Sequence, residues 1–346
     1  MLKKVLGVGA VIFLVHQPLL ARSQFRPQDP QMPRIETRWQ QESESFTLRD
    51  YHLTEYSLFQ TFDEKFFNNH LLPSEKIVYR ADTSKTVSGE ILKKLIDELI
   101  DEMYAGKKTF KHFTIIRNRD FNSSEFMGLI ILKFNDYPFV VKLFMETPKS
   151  LASPYSKGIV PLFTFYMGGG INRHLIGFTR IKNLEIITAK IKADPSWSTF
   201  IDTPRKWFLR PNKSKWIEIT GHNFGTKEPI KKCLPGTYCI IADAIESSRK
   251  TSMLNKRDNT LCLDVCKFLD FWIDPHIDNF MWEAGTNKLV VVDTEHFPSL
   301  MGFEQNMMFD SYVSWLTYLA GKFLNDTFFR SKAERRSFQT HTRVVC

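Results

Sequence analysis

A chain of 346 residues that is 43% hydrophobic and 14% aromatic can bury a substantial core, which excludes a disordered protein. The net charge of +9 is modest for that length, and Lys and Arg are scattered, which argues against a dedicated nucleic-acid binder. Five cysteines (Cys233, Cys239, Cys262, Cys266 and Cys346) are too few for a disulfide scaffold, so core thiols are expected, with Cys233 and Cys239 the one pair placed for a hairpin bridge.

At the amino end, Met1-Leu-Lys-Lys4 is a short positive region and Val5 to Val15 is an unbroken apolar run. This is the order of a secretory signal peptide, and the run is short for a membrane span. Residues 1–21 are therefore expected to be an export signal, or an uncleaved leader that associates the chain with a membrane. Residues 22–45, rich in Gln, Pro, Arg and Ser, read as a disordered linker.

A helical extension is predicted over 46–109. Its clearest part is 90–105, where Ile91, Leu92, Leu95, Ile96, Leu99, Ile100 and Met103 form an apolar stripe that stops at Gly106. The period then changes to that of a strand. Phe113 to Arg117, Phe126 to Phe134 and Pro138 to Met145 predict an antiparallel meander, and the third strand carries Lys142 among apolar neighbours. Asn183 to Lys192 predicts a helix, and Lys215 to Thr220 and Thr237 to Ala242 predict two more strands. Residues 110–243 thus form a sheet-rich half with an insertion. A helical half spans 244–325, with helices at Leu261 to Trp272 and Asp310 to Leu324. A basic tail, 326–346, follows and holds Arg330, Lys332, Arg335 and Arg336. The fold class is α+β.

The informative stretch is Ile273 to Phe297, IDPHIDNFMWEAGTNKLVVVDTEHF. Asp274 follows an apolar helix and Asn279 comes five residues later. The strand Phe280-Met-Trp282, the turn Glu283 to Asn287 and the strand Leu289 to Val292 then deliver Asp293. Such a hairpin suits phosphoryl transfer, which needs a lysine on the phosphates, hard oxygen ligands for magnesium and a carboxylate that orients the attacking hydroxyl. In order and spacing, Asp274-Pro-His-Ile-Asp-Asn279 and Val292-Asp293-Thr-Glu295 resemble the catalytic loop and metal-binding hairpin of the protein-kinase-like superfamily. The small-molecule and aminoglycoside phosphotransferase branch is nearest.

The resemblance covers residues 110 to 325 and implies a two-lobed fold with a five-stranded sheet in its N-lobe and a short helical C-lobe. It implies ATP and magnesium as cofactors. Asp274 is then the residue that orients or deprotonates an acceptor hydroxyl, while Asn279, Asp293 and Glu295 hold metal. Lys142, with Glu185 as its acidic partner, meets the nucleotide phosphates under a turn bearing Ser123 and Ser124. Adenine is placed near Asp243 to Glu246. The acceptor, a small molecule or a protein, is not specified.

The chain departs from the family in three places. Asn118 to Glu125 replaces the glycine-rich loop, Trp272 stands where protein kinases carry the histidine of their catalytic loop, and Thr294-Glu295 follows the metal-binding Asp. Two other readings therefore stand beside the enzyme: a pseudokinase that binds a partner, and a secreted binding protein whose acidic hairpin is incidental. Gly168-Gly-Gly170 lacks a following Lys-Ser/Thr pair and reads as a turn, and His276, His296, Cys262 and Cys266 lack zinc spacing.

Overall fold

A computed structural model describes residues 36–42, 45–50, 62–148, 171–222, 229–249, 251–298, 308–324 and 338–345. The expected leader, the Gly168–Gly170 turn and the cluster from Arg330 to Arg336 lie outside these. In chain order the elements are β1 (Glu36–Glu42), β2 (Ser45–Asp50), α1 (Glu64–Asn69), β3 (Lys76–Val78), β4 (Thr86–Ser88), α2 (Gly89–Tyr104), β5 (Phe113–Arg117), β6 (Phe121–Asn122), β7 (Met127–Phe134) and β8 (Phe139–Met145). They continue with α3 (Ile171–Ala193), α4 (Pro195–Ser198), β9 (Ile201–Asp202), β10 (Lys206–Leu209), β11 (Trp216–His222), β12 (Pro229–Pro235), β13 (Thr237–Asp243), β14 (Ser247–Arg249), α5 (Lys256–Phe268), β15 (Phe280–Glu283), β16 (Leu289–Val291), α6 (Tyr312–Leu324) and β17 (Phe338–Val345). The chain is mixed α+β, with several sheets built mainly from antiparallel pairs.

The meander forms as the three β-rich runs predict. The central sheet runs β10-β13-β8-β7-β5, with β6 pairing β7 beside that path. Because successive strand residues face opposite sides, Phe139, Val141, Leu143 and Met145 of β8 pack on one face with Leu92, Ile96, Leu99, Ile100 and Met103 of α2. Phe144 of the same strand lies on the other face, with Leu129, Phe208, Tyr238 and Ile240, against Leu175, Phe178 and Ile181 of α3 and Phe67 of α1. Lys142 shares the parity of Phe144, and Lys206 that of Phe208, so both lysines belong to the α3 face. Ser88 caps α2 by accepting the Glu90 amide.

A second core lies beyond α3. There Ile176, Ile187 and Ile191 of α3 meet Cys262, Leu263, Val265 and Cys266 of α5, Phe280, Leu289 and Val291 of the β15–β16 hairpin, and Trp315 of α6. The hairpin is part of a four-stranded sheet, β14-β15-β16-β9, in which β9 runs parallel to β16. One helix, α3, thus stands between the central sheet and the hairpin and contributes to both cores.

Gly177 sets how closely α3 approaches the sheet. A Cβ there would lie 1.8 Å from the Tyr238 hydroxyl and 2.9 Å from the Phe144 ring. Tyr238 stacks on Phe144 and Phe178, with ring centroids 4.8 and 4.2 Å away, and donates a 2.7 Å hydrogen bond to the His174 carbonyl. Only a glycine accommodates that contact.

Several expectations change. The helix expected at Asn183 to Lys192 begins twelve residues earlier, at Ile171. Within the stretch expected to be a linker lies β1, and within the expected basic tail lies β17; both join β2, β11 and β12 in a five-stranded sheet. The extension over 46–109 contains the β3–β4 hairpin as well as helices. No disulfide joins Cys233, Cys239, Cys262 and Cys266. Among the described residues, no helix is long and apolar enough to cross a membrane.

Candidate functional site

The register of two hairpins fixes the site. On β8, Lys142 lies opposite Ile131 of β7 and Ile240 of β13, so it is locked at the centre of the sheet. On the other side, Phe280 pairs with Val291, and the Val292 amide donates to the Asn279 carbonyl at 2.8 Å. Asn279 is therefore one residue across the hairpin from Asp293. Its side-chain amide donates to the Asp274 carbonyl at 3.0 Å, and the Asp274 carboxylate accepts the His276 amide at 3.2 Å. Asp274, Asn279 and Asp293 are thus tied into one unit by short-range hydrogen bonds.

Lys142 and Asp293, 151 residues apart, meet at that unit. The Nζ–Oδ2 distance is 2.6 Å, and the other carboxylate oxygen takes Arg180 Nε at 3.0 Å. Arg180 is almost fully buried and also lies 2.7 Å from Glu295. Behind this pair, Lys206 donates to the Thr294 hydroxyl at 2.7 Å, and that hydroxyl donates to the Arg180 carbonyl at 2.5 Å. Asn183 donates to the carbonyls of Trp272 and Thr294 at 3.0 and 3.1 Å, which fastens α3 to both ends of the candidate loop.

The electrostatics follow from this packing. Burial favours the neutral form of Asp293, but the charges of Arg180, Lys142 and Lys206 outweigh it and hold the carboxyl well below its ordinary value. Against the desolvation of burial, Asp293 and Glu295 hold the Arg180 guanidinium above its ordinary value. Burial lowers the Lys142 ammonium although Asp293 opposes it, and burial together with Lys142 lowers Lys206 well below the usual lysine range. Asp274 goes the other way. Burial, with small contributions from Glu295 and Asp293, pushes its carboxyl up to about 8 despite the His276 amide.

Of the residues expected from sequence, Lys142, Asp274, Asn279, Asp293 and Glu295 gather here. Glu185 does not: it faces out from α3 and takes His70 Nε2 at 2.7 Å, while the carboxylate on Lys142 is that of Asp293. The reason is helical phase. Arg180 and Asn183 lie on the stripe of α3 that faces the hairpin, and Glu185 lies on its exposed side. Ser123 and Ser124 sit in the β6–β7 turn, where Asn122 Oδ1 accepts both the amide and the hydroxyl of Ser124. In the expected adenine segment, the Ala244 amide donates to the Pro138 carbonyl and the Glu246 carbonyl accepts from Ala284, so two of its backbone groups are already engaged.

Sequence reasoning missed Arg180, Lys206 and Asn183. One signal was available: Arg173, Gly177, Arg180 and Asn183 recur at three- and four-residue spacing, and Lys206 opens the apolar strand Trp207 to Leu209. Asp293, Asn279 and Glu295 provide hard oxygen donors, a set whose chemistry fits magnesium. Both Asp293 oxygens, however, are held by cations. Among the described residues, no group of three His, Cys, Asp or Glu side chains is arranged to hold a metal ion. Comparison with known protein families, with curated proteins and with solved structures finds no match to the chain.

Proposed function

We propose that the chain is a two-lobed, protein-kinase-like phosphotransferase that moves the terminal phosphoryl group of ATP to a hydroxyl of a small molecule or a protein. The observation that carries the reading is the Lys142–Asp293 pair at 2.6 Å. It joins a lysine on the third strand of a meander to an aspartate at the end of a hairpin, and that hairpin begins with Asp274 and Asn279. The central sheet would form the N-lobe, and α5, the hairpin and α6 the C-lobe.

In this reading Lys142 leaves Asp293 to contact the phosphates, and Asp293 with Asn279, assisted by Glu295, would hold magnesium. Bound there, the metal would neutralise charge on the phosphate oxygens. Asp274 accepts the proton of the acceptor hydroxyl as its oxygen bonds to the γ-phosphorus; the bond from that phosphorus to the bridging oxygen breaks, and ADP departs with the electron pair. A carboxyl at about 8 serves as a base only when ionised, so turnover rises with pH through that value. The leader-like residues 1–21 make export, or attachment to a membrane through the N-terminus, part of the proposal.

One observation favours a second reading, a pseudokinase that binds nucleotide without transferring phosphate. The charged group that α3 presents beside Lys142 is a cation, Arg180, and it occupies one Asp293 oxygen. Thermal stability with and without magnesium-ATP, for wild type and Asp293→Asn, tests both. Stabilisation lost in the variant supports nucleotide binding at this site, and stabilisation without ATP consumption or autophosphorylation selects the pseudokinase. A wild type that magnesium-ATP leaves unchanged overturns both.

A further inference from the structure

The β6–β7 turn lacks the glycines of a phosphate-binding loop, yet beneath it lies a row of arginines. Asp120 immediately precedes β6, and its carbonyl accepts the Leu129 amide at 2.9 Å, so it forms the base of that turn. Its buried carboxylate takes Arg117 Nη2 at 2.5 Å, and Arg173 Nη2 lies 3.8 Å from the same oxygen. Arg173 begins the α3 stripe that leads through Gly177 to Arg180, seven residues on, and Arg180 reaches Glu295 and Asp293. The row therefore connects the foot of the turn to the Lys142–Asp293 pair.

Its charges and hydrogen bonds do not close. Among the described residues, five cations, Arg117, Arg173, Arg180, Lys142 and Lys206, face three carboxylates, Asp120, Glu295 and Asp293. Among the described residues, Arg117 Nε, Arg173 Nε and Arg180 Nη1 are buried and find no hydrogen-bond partner. Arg173 and Arg180 are more than nine-tenths buried as whole residues. Buried N–H donors on charged groups are costly to leave unpaired, and three in one row point to an acceptor that brings several oxygens and negative charge. Guanidinium forks match phosphate oxygens in shape and charge.

We propose that Arg117, Arg173 and Arg180 form a clamp for the polyphosphate tail of a nucleotide, supplying from α3 and β5 the contacts that a glycine-rich loop would give. This clamp rests on the nucleotide reading above and goes beyond it by naming which side chains hold the phosphates. Arg173 carries the middle of the row. Arg180 joins the tail to Asp293, and Arg117 closes the outer end beneath Ser123 and Ser124.

Isothermal titration with tripolyphosphate, ATP and adenosine, each without and with magnesium, tests the clamp. Wild type is expected to bind tripolyphosphate and ATP, and adenosine far more weakly. Arg173→Gln and Arg117→Gln are each expected to weaken tripolyphosphate binding roughly tenfold or more, as loss of a charge-assisted contact implies. The exposed Lys213→Gln, on the far side of the central sheet beside α2, is expected to change nothing. Arg117 is partly exposed, and Arg119 and Arg173 each remain 3.8 Å from the Asp120 carboxylate that it leaves, so its variant is expected to keep the fold even where Arg173→Gln does not, and thermal melts separate the two cases. ATP bound equally by wild type and both arginine variants overturns the clamp and leaves the nucleotide reading standing. Arginine-dependent binding of tripolyphosphate with no binding of ATP supports an anion clamp and overturns the nucleotide reading. Failure of the wild type to bind tripolyphosphate overturns the clamp.

Discussion

Gly177→Ala adds one methyl group where the structure has no room for it. The new carbon would sit 1.8 Å from the Tyr238 hydroxyl, about 1.6 Å inside ordinary contact. The tyrosine cannot retreat easily, because it is fully buried, lies between two rings and is bonded to the His174 carbonyl at 2.7 Å. Relief therefore comes from displacing α3, which stretches the 3.0 Å Arg180–Asp293 contact and the Asn183 bonds, or from breaking the tyrosine's hydrogen bond. Overpacking of this kind costs about 1–3 kcal/mol, and a buried hydrogen bond lost with it adds roughly 1 kcal/mol. Alanine's better helix propensity returns about 1 kcal/mol. The expected net loss is about 1–3 kcal/mol, read as a lower midpoint in urea unfolding by circular dichroism. Tyr238→Phe removes the colliding oxygen, so the double variant should lose less than the two single losses added together. A Gly177→Ala protein as stable as wild type, or more stable, would refute the argument that this glycine sets the spacing of α3.

Two further outcomes follow from burial and charge. Asp274 has its carboxyl raised to about 8, so between its unfolded value near 4 and that point the folded chain holds a proton that the unfolded chain has lost. Stability should fall as pH rises across this window, and Asp274→Asn should remove that part of the slope; urea midpoints from pH 4 to 9 read both. Arg80 lies behind the hairpin, bonding Glu283 at 2.6 and 3.1 Å, Asp202 at 2.7 Å and the Thr203 carbonyl at 2.9 Å. Arg80→Met leaves the buried Glu283 carboxylate without its cation and should cost about 3 kcal/mol, checked in the same unfolding assay. A loss below about 0.5 kcal/mol would assign that cluster to the solvated surface.

Much of the fold was legible because its signals are local. Strands β5, β7 and β8 are short runs rich in β-branched and aromatic residues between turn signals, α2 carries an apolar stripe, and the β15–β16 hairpin has apolar arms around a polar turn. Lys142 and Asp293 could be matched because each is a charged residue at a fixed place in one of those patterns. The start of α3 was hidden because residues 173–181 are all buried, so no amphipathic period marks them. Glu185 was favoured as the partner of Lys142 by charge type, whereas helical phase turns Arg180 and not Glu185 toward the site, and the carboxylate on Lys142 is that of Asp293. The pairing of β17 with β2 and β11, and of β9 with β16, links segments far apart in sequence; such pairing depends on long-range register, which no short window contains.

In the proposed reaction Lys142, Asp274 and Asp293 together move a phosphoryl group. Following the phosphorus resonances of magnesium-ATP in the presence of the protein by 31P NMR, at pH 8, tests it most directly. Wild type is expected to convert ATP to ADP, with the γ-phosphorus appearing as inorganic phosphate or on the protein. Lys142→Met and Asp274→Asn should each slow that conversion at least a hundredfold while retaining the wild-type circular dichroism spectrum. Conversion that proceeds at the same rate in both variants, or a wild type that leaves ATP intact, would contradict the account.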